Sequence, residues 1–356
     1  MKPVYVLGTG QLGHMLRQAG ESLGVTVHLI ELDSNLQTLP VDKSVITTEI
    51  EFWPNTVLTR KISKSSSFIN HNVFPILTDR LSQKKLLNDL NLATVPWAFL
   101  SCKMQWPQVF SNLGQRVIVK SRHGGYDGRG QWHVSPDNTN TLPDTLYGHC
   151  IVEKNIHFSN EISLIGARGR NGATAFYPLT HNFHENGMLR TSVALLNKNT
   201  QQSIAEHMLS VIMHKLNYIG VMTMECFVVS DGLLINELSA RVHNSGHWTQ
   251  NAASISQFEL HLRAILNLPL PTPVIHMPAV MLNLIGIKPH MAWLSEPRLH
   301  LHWYNKIVRD NRKVGHINLV DTSPIVLSRV LHSLLPVLPV EYANYILWAR
   351  NKLSQQ

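Results

Sequence analysis

Cysteine is scarce in this chain. Its 356 residues hold three, Cys102, Cys150 and Cys226, odd in number and far apart. That usage excludes a disulfide framework and a C-x-x-C metal knuckle, and it fits reduced thiols in a cytoplasm. Long apolar runs are missing too, and no segment reaches the ~18 apolar residues of a membrane span. The amino terminus passes from Val4–Leu7 straight into Gly8-Thr9-Gly10, so a first strand is expected there and not a secretion signal. Charge is never dense. Lys and Arg number 31 against 23 Asp and Glu, for a net +8 with His neutral, and the basic residues are scattered. Scattering argues against a nucleic-acid surface and suits a basic protein that handles small anions. The P-loop pattern G-x-x-x-x-G-K-[ST] is absent, and none of the 20 histidines sits in an H-E-x-x-H zinc helix. No internal repeat or low-complexity segment occurs. At 44% hydrophobic the chain is globular, with length for two or three domains.

The most informative residues present are two carboxylates twelve positions apart, Glu225 and Glu237. Each lies in an apolar, strand-like run, with Asp231-Gly232 as a turn between them. A hairpin of that length brings the two glutamates side by side. Buried like charges repel and lose solvation, and a divalent cation such as Mg2+, which prefers carboxylates shared with substrate phosphates, removes both problems. An ordinary hairpin with two solvent-facing glutamates would read the same on this stretch alone. Arg241, Asn244 and His247 follow in a polar loop suited to gripping phosphate and a small anion.

Upstream, the β-branched run Val117-Ile118-Val119 ends in Lys120, and four glycines fall within the seven positions Gly124–Gly130. Such a loop can turn backbone N–H groups onto a phosphate, with Lys120 at the strand end. Between these features lies the strand-like Cys150–Ile156. Its edge can hydrogen-bond an adenine, while Glu153 or Glu161 accepts from amino or ribose hydroxyl groups.

The order strand-Lys120, Gly124-Gly125-Tyr126-Asp127-Gly128-Arg129-Gly130-Gln131, Val152-Glu153-Lys154, Asn236-Glu237 and Arg241-Val242-His243-Asn244-Ser245-Gly246-His247-Trp248-Thr249 resembles the ATP-grasp superfamily. With Gly8-Thr9-Gly10-Gln11-Leu12-Gly13 it is similar to the 5-(carboxyamino)imidazole ribonucleotide synthases over nearly the whole chain. His14 and Ser239-Ala240 depart from that family's pattern. The resemblance implies an ATP-dependent carbon–nitrogen ligase of de novo purine synthesis. ATP and Mg2+ are the implied cofactors, with bicarbonate and aminoimidazole ribonucleotide as substrates, and a homodimer is implied. It implies an ATP site of Arg80, Lys120, Gly125–Gln131 (Tyr126, Asp127, Gly128, Arg129 and Gly130 included), Glu153, Lys154, Asn155, Ile156, Glu161, His184, Asn236 and Glu237. The metal falls to Glu225 and Glu237, and catalysis to Arg241, Lys120, His243 and Asn244, with His247 near the reacting phosphate. The ribonucleotide falls to Gln11, Asp127 and Arg129, with its 5′-phosphate on a C-terminal basic cluster containing Lys306 and Arg312.

The expected fold is α/β: an ATP-grasp fold with a doubly wound, Rossmann-like N-terminal domain over 1–78. An ATP-grasp domain over 79–268 carries a lid subdomain at about 96–154, and a small C-terminal domain covers 269–356. Strands are expected at Lys2–Leu7 and Val25–Leu32 around a helix at Gln11–Leu23, and a capped helix opens near Thr78. One competing reading is serious. Gly8-x-Gly10-x-x-Gly13, with Glu31 and Asp33 beyond it, is the dinucleotide fingerprint in context, so an NAD(P)-dependent oxidoreductase stands as the alternative. A biotin carboxylase-like ligase shares the same chemical apparatus.

Overall fold

The computed structural model describes residues 1–32, 43–125, 128–196 and 200–355, so Asp33, Tyr126 and Asp127 lie outside the described residues. Among the described residues the strands form three sheets. The first is parallel: Val4–Leu7 lies between Val27–Ile30 and Val45–Thr48, and the helix Gln11–Ser22 makes the first crossover. The second strand is shorter than the expected Val25–Leu32, and the short β-branched run Val45–Thr48 is a third strand beyond those expected.

The central sheet is antiparallel and continuous. It runs in the order Gly232–Ser239, Gly220–Val229, Asn160–Arg168, Thr180–Glu185, Met188–Ala194, Ala279–Ile285, Lys313–Val320 and Leu299–Trp303, with Thr174–Phe176 added beside Asn160–Arg168. The carboxy-terminal strands therefore extend the same sheet that carries the two glutamates. The third sheet is a four-stranded antiparallel unit of Trp97–Leu100, Cys150–Lys154, Val117–Ser121 and Gln131–Val134. It has its own small core, with Trp106, Phe110 and Leu142 over Val117 and Val152.

Apolar periodicity ties the layers together. Leu12, Met15 and Leu16 share a cluster with Phe258, Leu262 and Ile265, so the first helix packs on Gln257–Ile265 across the boundary of the parallel unit. Leu209, Ile212 and Met213 of the helix Gln202–Lys215 cover Met222, Met224 and Leu238 behind the glutamate hairpin. The helices Pro324–Ser333 and Tyr342–Leu353 cover the carboxy-terminal strands through Leu327, Leu331, Tyr345 and Ile346. At roughly 1.5–3 kcal/mol for each fully buried large apolar side chain, these clusters fix the strands on which the polar residues stand. The helix expected near Thr78 runs Arg80–Asp89, with Asp79 as its cap, accepting from the Leu81 N–H at 3.1 Å. The three cysteines are free thiols, and no helix of the described residues is long and apolar enough to cross a membrane.

Candidate active site

The hairpin register sets Glu225 directly opposite Glu237. Opposite residues of an antiparallel pair share a face with Cβ atoms ~5 Å apart. A bulge follows Glu225, so Asn236 is the extra residue beside the pair. Each carboxylate already meets a nitrogen: Arg80 Nη2 lies 3.0 Å from Glu237 Oε1, and His243 Nε2 lies 3.2 Å from Glu225 Oε1. Burial pushes the Glu225 carboxyl up to about 7; His184 opposes the shift, and the charges of Glu237 and Glu161 add to it. Such a carboxylate gains from a cation. Among the described residues no three His, Cys, Asp or Glu side chains form a metal cage. Two carboxylates without a cage fit Mg2+ that takes its remaining ligands from phosphate and water.

Lys120 ends its strand beside this pair. Its ammonium reaches Asn236 Oδ1 at 2.9 Å and Glu153 Oε2 at 2.6 Å. The other oxygen of Glu153 is held by Lys84 at 2.7 Å, and Glu153 is 2% exposed. This corrects one expectation. The Glu153 carboxylate is committed to two lysines and is not open to adenine or ribose, which leaves Glu161 and the strand's backbone for that contact. Glu161 pairs with His184, and both line a small pocket with Asn182, Glu225, Phe227 and Asn236. Lys154 and Asn155 are exposed beyond Glu153, and Ile156 is half-buried.

Arg80 fixes the entry of the glycine-rich loop. Its guanidinium donates to the carbonyls of Ser121 (3.0 Å), Gly124 (2.7 Å) and Gly125 (3.0 Å), as well as to Glu237. Gly128, at φ +77°, sits against the turn at Asn186–Gly187; a Cβ there would stand 2.3 Å from the Asn186 carbonyl oxygen. Arg129 is exposed, Gly130 returns its carbonyl to the Ser121 N–H at 3.0 Å, and Gln131 pairs in register with Lys120.

After the hairpin the chain turns through Arg241–Gly246. Arg241 Nε lies 3.1 Å from Glu51, a residue that sequence reasoning missed. Burial pushes the Glu51 carboxyl up and Arg241 opposes it; Ser239, one of the departures from the family pattern, hydrogen-bonds it. His243 Nδ1 accepts from the backbone N–H of Ser245 at 3.3 Å. A ring nitrogen that accepts from a backbone N–H carries no proton, so Nε2 carries it and faces Glu225. Asn244 Oδ1 is buried with no protein hydrogen bond. His247 is not at the reacting end: it is fully buried, stacked on His316 at 4.6 Å and near Phe258 at 5.7 Å.

The glycine fingerprint holds an anion, and that anion belongs to the protein. The N–H groups of Gly10 and Gly13 donate to Glu49, the latter at 2.7 Å. A Cβ on Gly8 would meet the Glu49 side chain at 2.6 Å and one on Gly10 at 2.9 Å. The glycines thus make room for Glu49, and the seat that a dinucleotide pyrophosphate needs is taken, which removes the basis of the oxidoreductase reading. The same loop presents Gln11, whose Oε1 accepts from Lys306, so residues 295 positions apart meet. Arg312 stays on the carboxy-terminal loop, donating to the Ile307 carbonyl at 3.3 Å. Neither Glu49 nor Glu51 carried a signal beyond their place at the exit of a short strand; a β-branched strand ending in two carboxylates was the available hint.

The ATP-grasp domain family matches residues 85–258, and the phosphoribosylaminoimidazole carboxylase C-terminal domain family matches 279–328. The N5-carboxyaminoimidazole ribonucleotide synthase of Escherichia coli (strain K12) is 58% identical over 355 residues, which is 99% of this chain and 100% of the relative. Among solved structures, the N5-carboxyaminoimidazole ribonucleotide synthetase of Thermus thermophilus superposes with a TM-score of 0.85 at 34% identity, covering 94% of this chain and 98% of that one. The Staphylococcus aureus N5-carboxyaminoimidazole synthetase complexed with ADP gives 0.82 at 28%, covering 93% and 96%. With the ATP-grasp sheets and the paired glutamates in place, this chain belongs to the N5-carboxyaminoimidazole ribonucleotide synthase family of ATP-grasp ligases.

Proposed function

We propose that the chain carboxylates 5-aminoimidazole ribonucleotide on its exocyclic amine, using ATP and bicarbonate, as a step of purine biosynthesis. A bicarbonate oxygen attacks the γ-phosphorus of ATP and ADP leaves; the amine nitrogen then takes the carboxyl carbon, phosphate departs and the amine loses a proton. The observation that carries this reading is the convergence of two polar sets on one short segment. Glu51, beside Glu49, holds Arg241 at the phosphate end, while Glu49 holds the loop that presents Gln11 to Lys306.

Lys120 and the loop Gly125–Gln131 take the transferring end of ATP. Glu161, His184 and the Cys150–Ile156 strand take its nucleoside. Glu225 and Glu237 would hold Mg2+, which when bound neutralises charge on the phosphates. Arg241 steadies bicarbonate and the transferring phosphoryl group, His243 holds Glu225 through Nε2–H, and Asn244 offers a buried amide oxygen with no protein hydrogen bond. Gln11, Lys306 and Arg312 take the ribonucleotide, with Asp127 and Arg129 reaching it from the glycine-rich loop. The family also carries the expectation of a cytoplasmic homodimer. The test is ADP release measured with each acceptor in turn. Release that requires both aminoimidazole ribonucleotide and bicarbonate is expected; release driven by biotin instead, or unchanged when the ribonucleotide is omitted, would overturn the reading.

A further inference from the structure

Lys84 has no part in any of the roles above, yet it is 3% exposed; burial pulls its ammonium down and the charge of Glu153 opposes that. It lies one turn beyond Arg80 on the helix Arg80–Asp89, so the two share a face. Arg80 reaches Glu237, and Lys84 reaches Glu153 Oε1 at 2.7 Å and Thr94 Oγ1 at 2.7 Å. The Thr94 hydroxyl is in turn anchored on the Ile235 carbonyl at 2.6 Å. On the far side of the same carboxylate, Lys120 contacts Glu153 Oε2 at 2.6 Å and Asn236 at 2.9 Å. Two ammonium groups thus share one buried carboxylate, with side-chain exposures of 3%, 7% and 3% for Lys84, Lys120 and Glu153.

The charge count decides what this arrangement does. One carboxylate against one lysine is a neutral pair, and a buried neutral pair offers phosphate little attraction. With a second lysine on the other oxygen, the trio carries one net positive charge, and it is Lys120 that reaches Asn236 beside the paired glutamates, while Lys84 is turned to Thr94. Lys120 spends two of its three donors on Glu153 and Asn236. We propose that Lys84 is a positioning residue for the nucleotide: it serves as the standing counter-ion of Glu153, so that the charge of Lys120 is left for phosphate. Lys84 need never touch ATP to do this. The inference rests on the reading of Lys120 as a phosphate ligand.

The test is calorimetric binding of ATP to the full chain, without bicarbonate or ribonucleotide, for wild type, Lys84→Met, Glu153→Gln and the double variant. Wild type is expected to bind; if it does not, the nucleotide reading itself fails, and this inference with it. Lys84→Met leaves Glu153 to neutralise Lys120 and should weaken binding about tenfold, the scale of one lost charge-assisted contact. Removing both members of the pair restores the charge balance at Lys120, so Lys84→Met/Glu153→Gln should return to within about threefold of wild type. A residue that merely supports the fold gives additive losses instead. Unchanged binding in Lys84→Met, or a double variant as weak as Lys84→Met, would overturn the proposal. Should Lys84→Met fail to fold, Glu153→Gln and the double variant decide it. Without Glu153, the presence of Lys84 should no longer matter, and a tenfold difference between those two would overturn the proposal.

Discussion

At the scale of single residues, the site is a set of charges held in place by other charges. Glu237 is the clearest case, because it faces Glu225 and also holds the guanidinium of Arg80. Glu237→Gln keeps the shape, removes one negative charge from the pair and should abolish turnover while the protein remains folded. Near-wild-type rates at saturating Mg2+ would remove Glu237 from the metal site. Glu153 gives a second expectation. Burial alone would raise its carboxyl, but Lys120 and Lys84 overrule it and hold it at about 2, below the usual 4.5. A carboxyl held down contributes stability that is present above pH 4.5 and is lost as pH falls from there towards 2. Glu153→Gln should therefore lose less stability than wild type over that window, read as the change in urea midpoint with pH; parallel curves would contradict the assignment. The hairpin of Glu225 and Glu237 was legible in the sequence from its apolar runs and the turn near Asp231, but its register was not. The turn is Ser230-Asp231, Gly232 already pairs with Val229, and the bulge at Asn236 brings Glu237 opposite Glu225. Lys84 was not legible either. It stands next to Lys85 with nothing in the sequence to separate them, and only folding buries the one and exposes the other.

At the scale of elements, the glycine-rich loop is defined by what it presses against. Gly128 and Gly124 both have positive φ, but only Gly128 faces backbone, and nothing lies within 4 Å of a Cβ placed on Gly124. A β-carbon costs about 1–2 kcal/mol of strain at either position, and at Gly128 it also drives the loop away from Asn186. Gly128→Ala should raise the KM for ATP by roughly tenfold or more, at about 1.4 kcal/mol per factor of ten, and clearly more than Gly124→Ala does. Equal effects in steady-state kinetics would show that the contact with the turn is irrelevant. The elements were largely readable from pattern, since the first helix, the hairpin and the helix Gln202–Lys215 follow their apolar periods. The glycine fingerprint misleads because its glycines serve the same physics as in a dinucleotide fold, close approach of an anion, while the anion arrives from Glu49.

At the scale of the molecule, the two ends of the chain meet where Lys306 reaches Gln11. Lys306→Ala and Arg312→Ala should each raise the KM for the ribonucleotide roughly tenfold, with one charge-assisted contact at about 1.5–3 kcal/mol, while the KM for ATP barely moves. A loss confined to ATP would mean that the substrates sit the other way round. Pro269, Pro271 and Pro273 mark a composition boundary in the sequence, but they could not reveal that the sheet crosses it, because strand partners are set by tertiary packing and not by local pattern. Thr191–Ala194 pairs with Ala279–Leu282, part of a strand whose seven residues are all buried. Separating the chain near residue 270 would thus bare two buried sheet edges at once. Each fragment expressed alone should stick to copies of itself, and the two made together should rejoin into one particle that only denaturant separates.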